Sequence, residues 1–276
     1  MRGQCIAGGA AMARSGSEDT LAQGSFVRVL RAEALKSRHG APVRLAIVLA
    51  LPFPLLAAFV ALSVPQFGLS YSPWNYWYAL LMPVSITLIA ATVANADARL
   101  GNHTLLSSGV PLHLAWGAKV AWCLALLLLS NLVVFAVYAV MSLVVPQGAA
   151  SMSAMLAVAL ALTVMGSWMI PATHFLTMRV GMLAGVFVPL AVQLALSLGW
   201  SVVPFWPACP PAATIVLPTA FLPVLPSGEP ASPGMALVES ISQGPDVALA
   251  LIVAAVLTAA LTAAGAVWLD RSEELR

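Results

Sequence analysis

Residues 120–144 read VAWCLALLLLSNLVVFAVYAVMSLV, a run of 25 residues without one charged side chain. A helix needs ~20 mostly apolar residues to cross the ~30 Å hydrocarbon core of a bilayer, so this run predicts a membrane span. Five further stretches have the same character. The six predicted spans are 45–64, 77–96, 120–144, 155–175, 182–202 and 247–269. The pattern therefore predicts an all-α membrane protein with six transmembrane helices.

The composition of the whole chain agrees with this prediction. Charged residues make up 8% of the chain and the apolar set AVILMFWYC makes up 61%. Soluble domains contain ~25% charged and ~45–50% apolar residues, so a soluble fold of this sequence would expose too much apolar surface. A soluble protein is excluded on these grounds.

The distribution of basic residues predicts the orientation of the spans. All twelve Lys and Arg residues fall in the tails and loops on one side of the six predicted spans. Short basic loops stay in the cytoplasm, so the amino terminus, segment 97–119, the turn around Arg179 and the tail from Asp270 are predicted inside. Segments 65–76, 145–154 and 203–246 are predicted outside. These features predict a multi-pass protein of the cell membrane with both termini in the cytoplasm.

The chain before the first span divides into two parts. Residues 1–24 show no periodicity and are predicted to form a disordered tail. Residues 25–40 have apolar side chains at helical spacing, Ser25 as a possible cap and Gly40 as a stop. The basic residues of this segment are Arg28, Arg31, Lys36 and Arg38. The segment predicts an amphipathic interfacial helix that contacts anionic lipid. The alternative is a charged flank that only fixes orientation.

The remaining residues, 41–276, are predicted to form one six-span domain with an external segment at 203–246. This segment is rich in Pro, and its apolar run 214–225 is too short to cross a membrane. Such a run is expected to be an interfacial or re-entrant element. Two interpretations stay open, a lid over the outer face of the bundle and a loosely ordered loop on the lipid headgroups.

Aromatic and Pro residues mark the first two spans. Tyr71, Trp74, Tyr76, Trp77 and Tyr78 fall where an outer membrane interface is expected, and they predict an aromatic belt. Prolines at positions 52, 54 and 83 predict bends, since Pro removes a backbone donor from a helix. A bend of this kind can be a hinge or a static kink, and both interpretations stay open.

A few polar residues occur at membrane depth. Asn131 and Gln193 are predicted to make interhelical hydrogen bonds, with the lining of a transport path as the alternative. His174 lies near the cytoplasmic end of the fourth span and is predicted to face a loop. Cys5, Cys123 and Cys209 fall in different environments, so no disulfide within the chain is expected.

Several chemistries have no sequence signature in this chain. No phosphate-binding G-x-x-x-x-G-K-[ST] loop, no H-E-x-x-H motif and no G-x-S-x-G elbow occurs. No acidic or basic residue lies inside a predicted span, whereas ion-coupled carriers usually bury such groups. The basic residues flank spans, so a nucleic-acid partner is not expected. The sequence predicts a passive helical unit that is not an enzyme, holds no cofactor and depends on an external motor.

The segment around Glu33 and Lys36 resembles the start of ABC-2-type exporter permeases, which often carry E-x-x-K before the first span. The loop after the second span resembles the first internal loop of the same family, with an acidic residue, Gly, Thr, a leucine pair, Pro and Lys. The matching residues here are Asp97, Gly101, Thr104, Leu105, Leu106, Pro111 and Lys119. Asp97 stands where the family usually has Glu, and two residues separate Gly101 from Thr104.

Within that family the chain is most similar to the permease subunit of lantibiotic-immunity ABC transporters. The features that carry this similarity are Trp74 and Trp77 before Pro83, Ile170–Pro171 before Arg179, Trp206–Pro207, and Leu225 to Gly228. The resemblance implies export of an amphipathic peptide such as a lantibiotic out of the membrane or cell. It also implies a second permease copy or homologue and separate ATP-binding cassette subunits that hold ATP and Mg.

The same resemblance implies that the loop residues from Asp97 to Pro111 form the contact with the ATPase subunits. The runner-up function is a non-transporting membrane scaffold or sensor subunit, and a secondary carrier is a third possibility.

Overall fold

The computed structural model describes residues 26–38, 40–98, 111–232, 234–242 and 245–274. All regular secondary structure within these residues is helical. The helices are α1 (26–37), α2 (Ala41–Val48), α3 (Pro52–Ser63), α4 (Ser72–Tyr76), α5 (Met82–Ala98), α6 (Leu112–Val144), α7 (Met152–Gly166), α8 (Met169–Arg179), α9 (Met182–Leu198), α10 (Pro210–Val216), α11 (Ala236–Ser242) and α12 (Asp246–Glu274). A π-helical turn, Trp77–Leu81, joins α4 to α5. Helices satisfy all their own backbone hydrogen bonds, which is what a lipid environment requires.

Five helical segments of the described chain are long and apolar enough to cross a membrane. They are Ala41–Ser63, Ser72–Ala96, Leu112–Val144, Met152–Arg179 and Asp246–Arg271. The prediction of an all-helical chain with membrane-spanning helices is therefore confirmed for the described residues. The predicted span 182–202 is a shorter apolar helix, α9, because a 3₁₀ turn follows Gly199. Its 17 residues correspond to ~25 Å at 1.5 Å per residue.

Proline residues account for the interruptions in three of these spans. Helix α3 begins at Pro52 after a turn, α5 carries Pro83 just after the π-helical turn, and α8 carries Pro171 just after the turn at Ser167 and Trp168. Pro lacks a backbone N–H and its ring meets the carbonyl four residues earlier, so the preceding turn has to rearrange. The first and second spans, where bends were predicted, are thus both interrupted next to their prolines.

The described basic residues gather at one end of the bundle, which we call the basic end. They are Arg28, Arg31, Lys36, Arg38, Arg44, Lys119, Arg179 and Arg271. Side-chain contacts join α1 to the start of α6, the start of α6 to the end of α12, and the end of α5 to the start of α9. The acidic residues Glu229, Glu239 and Asp246 belong to segments at the opposite end, whereas Glu33, Asp97 and Asp270 belong to segments at the basic end.

The segment predicted to be external inserts into the bundle at the end opposite the basic end. All ten residues from Pro210 to Thr219 are buried, a longer run than in any other part of the described chain. Small side chains from α7 and α12, Ala161, Ala250 and Ala254, pack around Ala213 of α10. The alternative of a loosely ordered loop is wrong for these residues, because burial on all sides leaves no face of α10 for lipid headgroups.

The predicted aromatic belt is also wrong for four of its five members. Tyr71, Trp74, Trp77 and Tyr78 are buried, and only Tyr76 is exposed. The rings of Tyr71 and Trp74 lie 5.2 and 4.6 Å from the ring of Tyr138 in α6. This stacking against a distant helix stabilises the core, so the rings turn inward.

Candidate functional site

Helix α1 is fixed to the start of α6 at the basic end. Its Glu33 carboxylate is buried, with 5% of the residue exposed, and Lys119 in α6 is 4% exposed. Lys119 Nζ lies 3.5 Å from Glu33 Oε2, and Lys36 Nζ lies 3.0 Å from Glu33 Oε1. The Ser37 hydroxyl donates to the Glu33 carbonyl at 2.9 Å. One carboxylate thus joins two basic side chains from two different helices.

This ion pair places two charged side chains in the interior of the protein. Lys119 was predicted to end a loop, but α6 begins at Leu112, so Lys119 lies inside the observed candidate span Leu112–Val144. The predicted span 120–144 itself holds no charged residue, but the observed helix begins earlier and includes Lys119. A charge buried in this way requires a partner of opposite sign, and Glu33 supplies it.

The four basic residues predicted for the interfacial helix, Arg28, Arg31, Lys36 and Arg38, are all exposed. The inward side of the same helix carries Glu33 and Ser37, which are buried. Ser25, the predicted cap, lies outside the described residues. Residues 26–37 are therefore helical, with a basic outer side and a polar contact to the bundle on the inner side.

The structure describes only part of the loop that the resemblance assigns to an ATPase contact. Asp97 lies in the last turn of α5, and Pro111 is exposed and directly precedes the first turn of α6. Gly101, Thr104, Leu105 and Leu106 lie outside the described residues. The end of α5 and the start of α6, which border this loop, both lie at the basic end.

His174 is fully buried, so the prediction that it faces a loop is wrong. Its Nδ1 lies 2.9 Å from the Ile170 carbonyl oxygen, and its ring meets the Trp116 ring edge-to-face at 5.8 Å. Trp116 Nε1 donates to the Thr262 carbonyl at 3.0 Å, and the indole lies against Gly265. His174, Trp116 and Thr262 therefore form a junction of α8, α6 and α12.

A chain of hydrogen bonds joins three helices at membrane depth. Trp77 Nε1 donates to Asn131 Oδ1 at 3.1 Å, and Asn131 Nδ2 donates to Thr163 Oγ1 at 3.0 Å. The predicted interhelical hydrogen bond of Asn131 is confirmed. All three side chains are buried, so the bonds are made away from water.

Gln193 and Ser197 hold the inserted helix α10 in place. Gln193 Nε2 donates to the Pro211 carbonyl at 3.3 Å, and Ser197 Oγ donates to the same oxygen at 2.9 Å. The predicted interhelical role of Gln193 is confirmed, with the inserted helix as its partner. Asn75 Nδ2 donates to the Leu225 carbonyl at 3.3 Å and so holds the chain after α10, where Val224 and Pro230 form an isolated β-bridge.

Sequence reasoning missed two contributors to these contacts. Trp116 was assigned to the loop before the predicted span 120–144. The mostly apolar run from Leu112 to Trp116 is the signal that the helix begins before Val120. Gly265 could have been noticed as the one Gly in an Ala-rich stretch of the last span, which allows close helix contact. Cys123 and Cys209, the cysteines in the described chain, are both unpaired, as predicted.

No family model, no curated protein and no solved structure matches this chain.

Proposed function

We propose that this chain is the transmembrane permease subunit of an ATP-driven exporter of the ABC-2 type. ATP hydrolysis, with its Mg, would take place in separate ATP-binding cassette subunits. The observation that supports this best is the buried Glu33–Lys119 ion pair, which couples α1 to a helix of 33 residues. A force applied by a partner at the basic end would pass through this pair into α6 and on to the far side of the bundle.

The proposal includes six membrane crossings, with α9 as the sixth. Helix α9 follows α8 after the single turn at Gly181, so the two helices run in opposite directions. With α9 counted, α1 and the end of α12 both lie at the basic end, so both termini are proposed to lie on this side of the membrane. The positive-inside rule places this end in the cytoplasm of a cell that carries the protein in its plasma membrane.

The partners and substrate follow from the same proposal. A second permease copy or homologue would complete the transport path, and α1 would lie in the headgroup layer with its basic residues toward anionic lipid. The substrate would be an amphipathic peptide such as a lantibiotic, moved out of the membrane or cell. The alternative functions are a non-transporting scaffold or sensor subunit and a secondary carrier. Co-purification with an ATPase separates the exporter from both.

Labelling of single cysteines tests the topology. With the native cysteines replaced by Ser, Ser227→Cys is exposed at the end opposite the basic end and should react with a membrane-impermeant maleimide on intact cells. Ser107→Cys should react only after permeabilisation, because its loop is cytoplasmic in the proposal. Equal labelling of both positions on intact cells would contradict the topology.

The ATPase contact is tested by the double substitution Leu105→Asp/Leu106→Asp. Burying one Leu side chain is worth ~1.5–3 kcal/mol, so losing both from an interface should weaken ATPase binding about hundredfold or more. The measurement is a quantitative pull-down of the ATPase from mild detergent. Leu105→Met/Leu106→Met is the matched control, since it keeps the side chains apolar and should retain the ATPase. A folded Asp variant that binds the ATPase normally would place the contact elsewhere.

A further inference from the structure

The segment between α9 and α10 exposes apolar side chains outside any membrane helix. Residues 198–208 read LGWSVVPFWPA, with no charged residue and with Ser201 as the one hydroxyl residue. Val202 is 81% exposed, Phe205 is 53% exposed, and Leu198 at the end of α9 is exposed as well. Contiguous exposed apolar side chains of this kind mark a surface that contacts a membrane or another protein.

The backbone of the same segment does not suit the hydrocarbon core. It forms two 3₁₀ turns of three residues each, Trp200–Val202 and Trp206–Ala208, with irregular chain between them. Such a short turn leaves most of its N–H and C=O groups without a partner inside the turn. Irregular backbone that faces lipid does not occur in the hydrocarbon region. The side chains thus need apolar surroundings and the backbone needs polar ones, and the interfacial layer of a bilayer offers both.

The packing of Trp206 gives the depth of the segment. Trp206 packs against the cluster that contains Ala250 and Ala254 of α12. Ala250 lies four residues after Asp246, which is ~6 Å along a helix. Asp246 begins α12, and its charge places this helix end near headgroups or water. The interfacial layers add ~5–8 Å on each side of the hydrocarbon core, so a segment one helical turn inside Asp246 lies at their depth.

Helix α9 ends where this segment begins, and its ~25 Å is shorter than the ~30 Å core. The exposed side chains after Gly199 continue its apolar surface. Trp200 and Trp206, both half-buried, are of the residue type that favours the membrane interface. We infer that residues 198–208 form an interfacial anchor, whose Leu198, Val202 and Phe205 insert among the glycerol and upper acyl carbons of the leaflet opposite the basic end.

The anchor connects the bilayer surface to the inserted helix. Helix α10 begins at Pro210, directly after the anchor, and Gln193 and Ser197 hold it through the Pro211 carbonyl. Because the anchor has no charge, it recognises the interfacial layer of zwitterionic and anionic phospholipids alike. The inference rests on the membrane crossing by α9 in the proposed function, and not on transport or on an ATPase.

Electron paramagnetic resonance of spin-labelled cysteines tests the depth of the anchor. The full chain, with its native cysteines replaced by Ser, is reconstituted in phospholipid nanodiscs. Labels are placed at Val202→Cys and Phe205→Cys in the anchor, at Phe187→Cys on the exposed side of α9, and at Ser227→Cys, which is exposed at the same end of the bundle. Collision rates with a water-soluble nickel chelate and with oxygen are then measured for each label.

Nickel collisions at Val202 and Phe205 should be severalfold fewer than at Ser227 and more frequent than at Phe187. Rates equal to that at Ser227 would place the segment in water, and rates equal to that at Phe187 would place it in the hydrocarbon core. Either result overturns the anchor. Labels shielded from both reagents would indicate a covering protein and overturn the lipid contact. A Phe187 label as open to nickel as Ser227 would contradict the crossing by α9 itself.

Two further measurements test what holds the segment at this depth. Nanodiscs of phosphatidylcholine and of phosphatidylglycerol should give the same collision rates, and a depth that changes with lipid charge would overturn an apolar anchor. Val202→Asn/Phe205→Asn should move a label at Ser201→Cys toward water. Phe67→Asn is the matched control, since Phe67 is an exposed apolar residue at the same end outside the segment. Equal depths of the Ser201 label in both variants would show that Val202 and Phe205 do not anchor the segment.

Discussion

The substitution Lys119→Met is expected to destabilise the protein and release α1 from the bundle. It leaves the buried Glu33 carboxylate with its Lys36 contact but without the ammonium group from α6. Removing one partner of a buried ion pair costs ~3–5 kcal/mol, and the remaining Lys36 contact points to the lower part of this range. The thermal unfolding midpoint in detergent should fall. Limited trypsin cleavage at Arg28 and Arg31 should become faster as α1 detaches.

The double variant Glu33→Gln/Lys119→Met separates the ion pair from other effects. It removes both buried charges, so most of the lost stability should return. Arg44→Gln is the control for loss of a positive charge at the basic end, since Arg44 is exposed, and it should behave like the wild type. If Lys119→Met were as stable as Arg44→Gln, the ion pair would not hold α1 on α6.

The second large effect is expected at Gly265, where the last span meets Trp116. A Cβ at this position would lie 2.6 Å from Trp116 Cε2 and 3.0 Å from Cη2, closer than side chains approach each other. The indole cannot move away easily, because Trp116 Nε1 is bonded to the Thr262 carbonyl and the ring packs on His174. Gly265→Val should therefore cost ~1–3 kcal/mol or more and push α12 away from α6.

The displacement of α12 can be measured by disulfide cross-linking between two introduced cysteines. Ser167 Oγ and Thr258 Oγ1 lie 2.6 Å apart, so Ser167→Cys/Thr258→Cys should form a disulfide in the otherwise unchanged protein. Adding Gly265→Val should slow this cross-link and lower the unfolding midpoint. Adding Ala264→Val at the neighbouring exposed position should change neither. Equal cross-linking in both backgrounds would show that α12 docks without the Gly265 contact.

The sequence alone was sufficient for the helical class, for five of the spans and for the grouping of basic residues. Each of these properties depends on the residues of one segment and on the cost of placing them in lipid or water. A run such as 120–144 is apolar whatever its neighbours are. In lipid a single segment can pair its backbone N–H and C=O groups within itself only as a helix. The resemblance to ABC-2 permeases and the ATPase contact at Leu105 and Leu106 remain predictions.

The positions of His174, Tyr71, Lys119 and the inserted helix α10 were decided by the tertiary structure. An aromatic ring suits a membrane interface and a protein core equally well, and the choice depends on a stacking partner such as Tyr138, 67 residues further along the chain. Lys119 can be buried inside the bundle because the Glu33 carboxylate, 86 residues away along the chain, lies against it. Pairings between distant residues leave no periodic signal in the sequence, because their energy comes from burial and contact that exist only in the folded bundle.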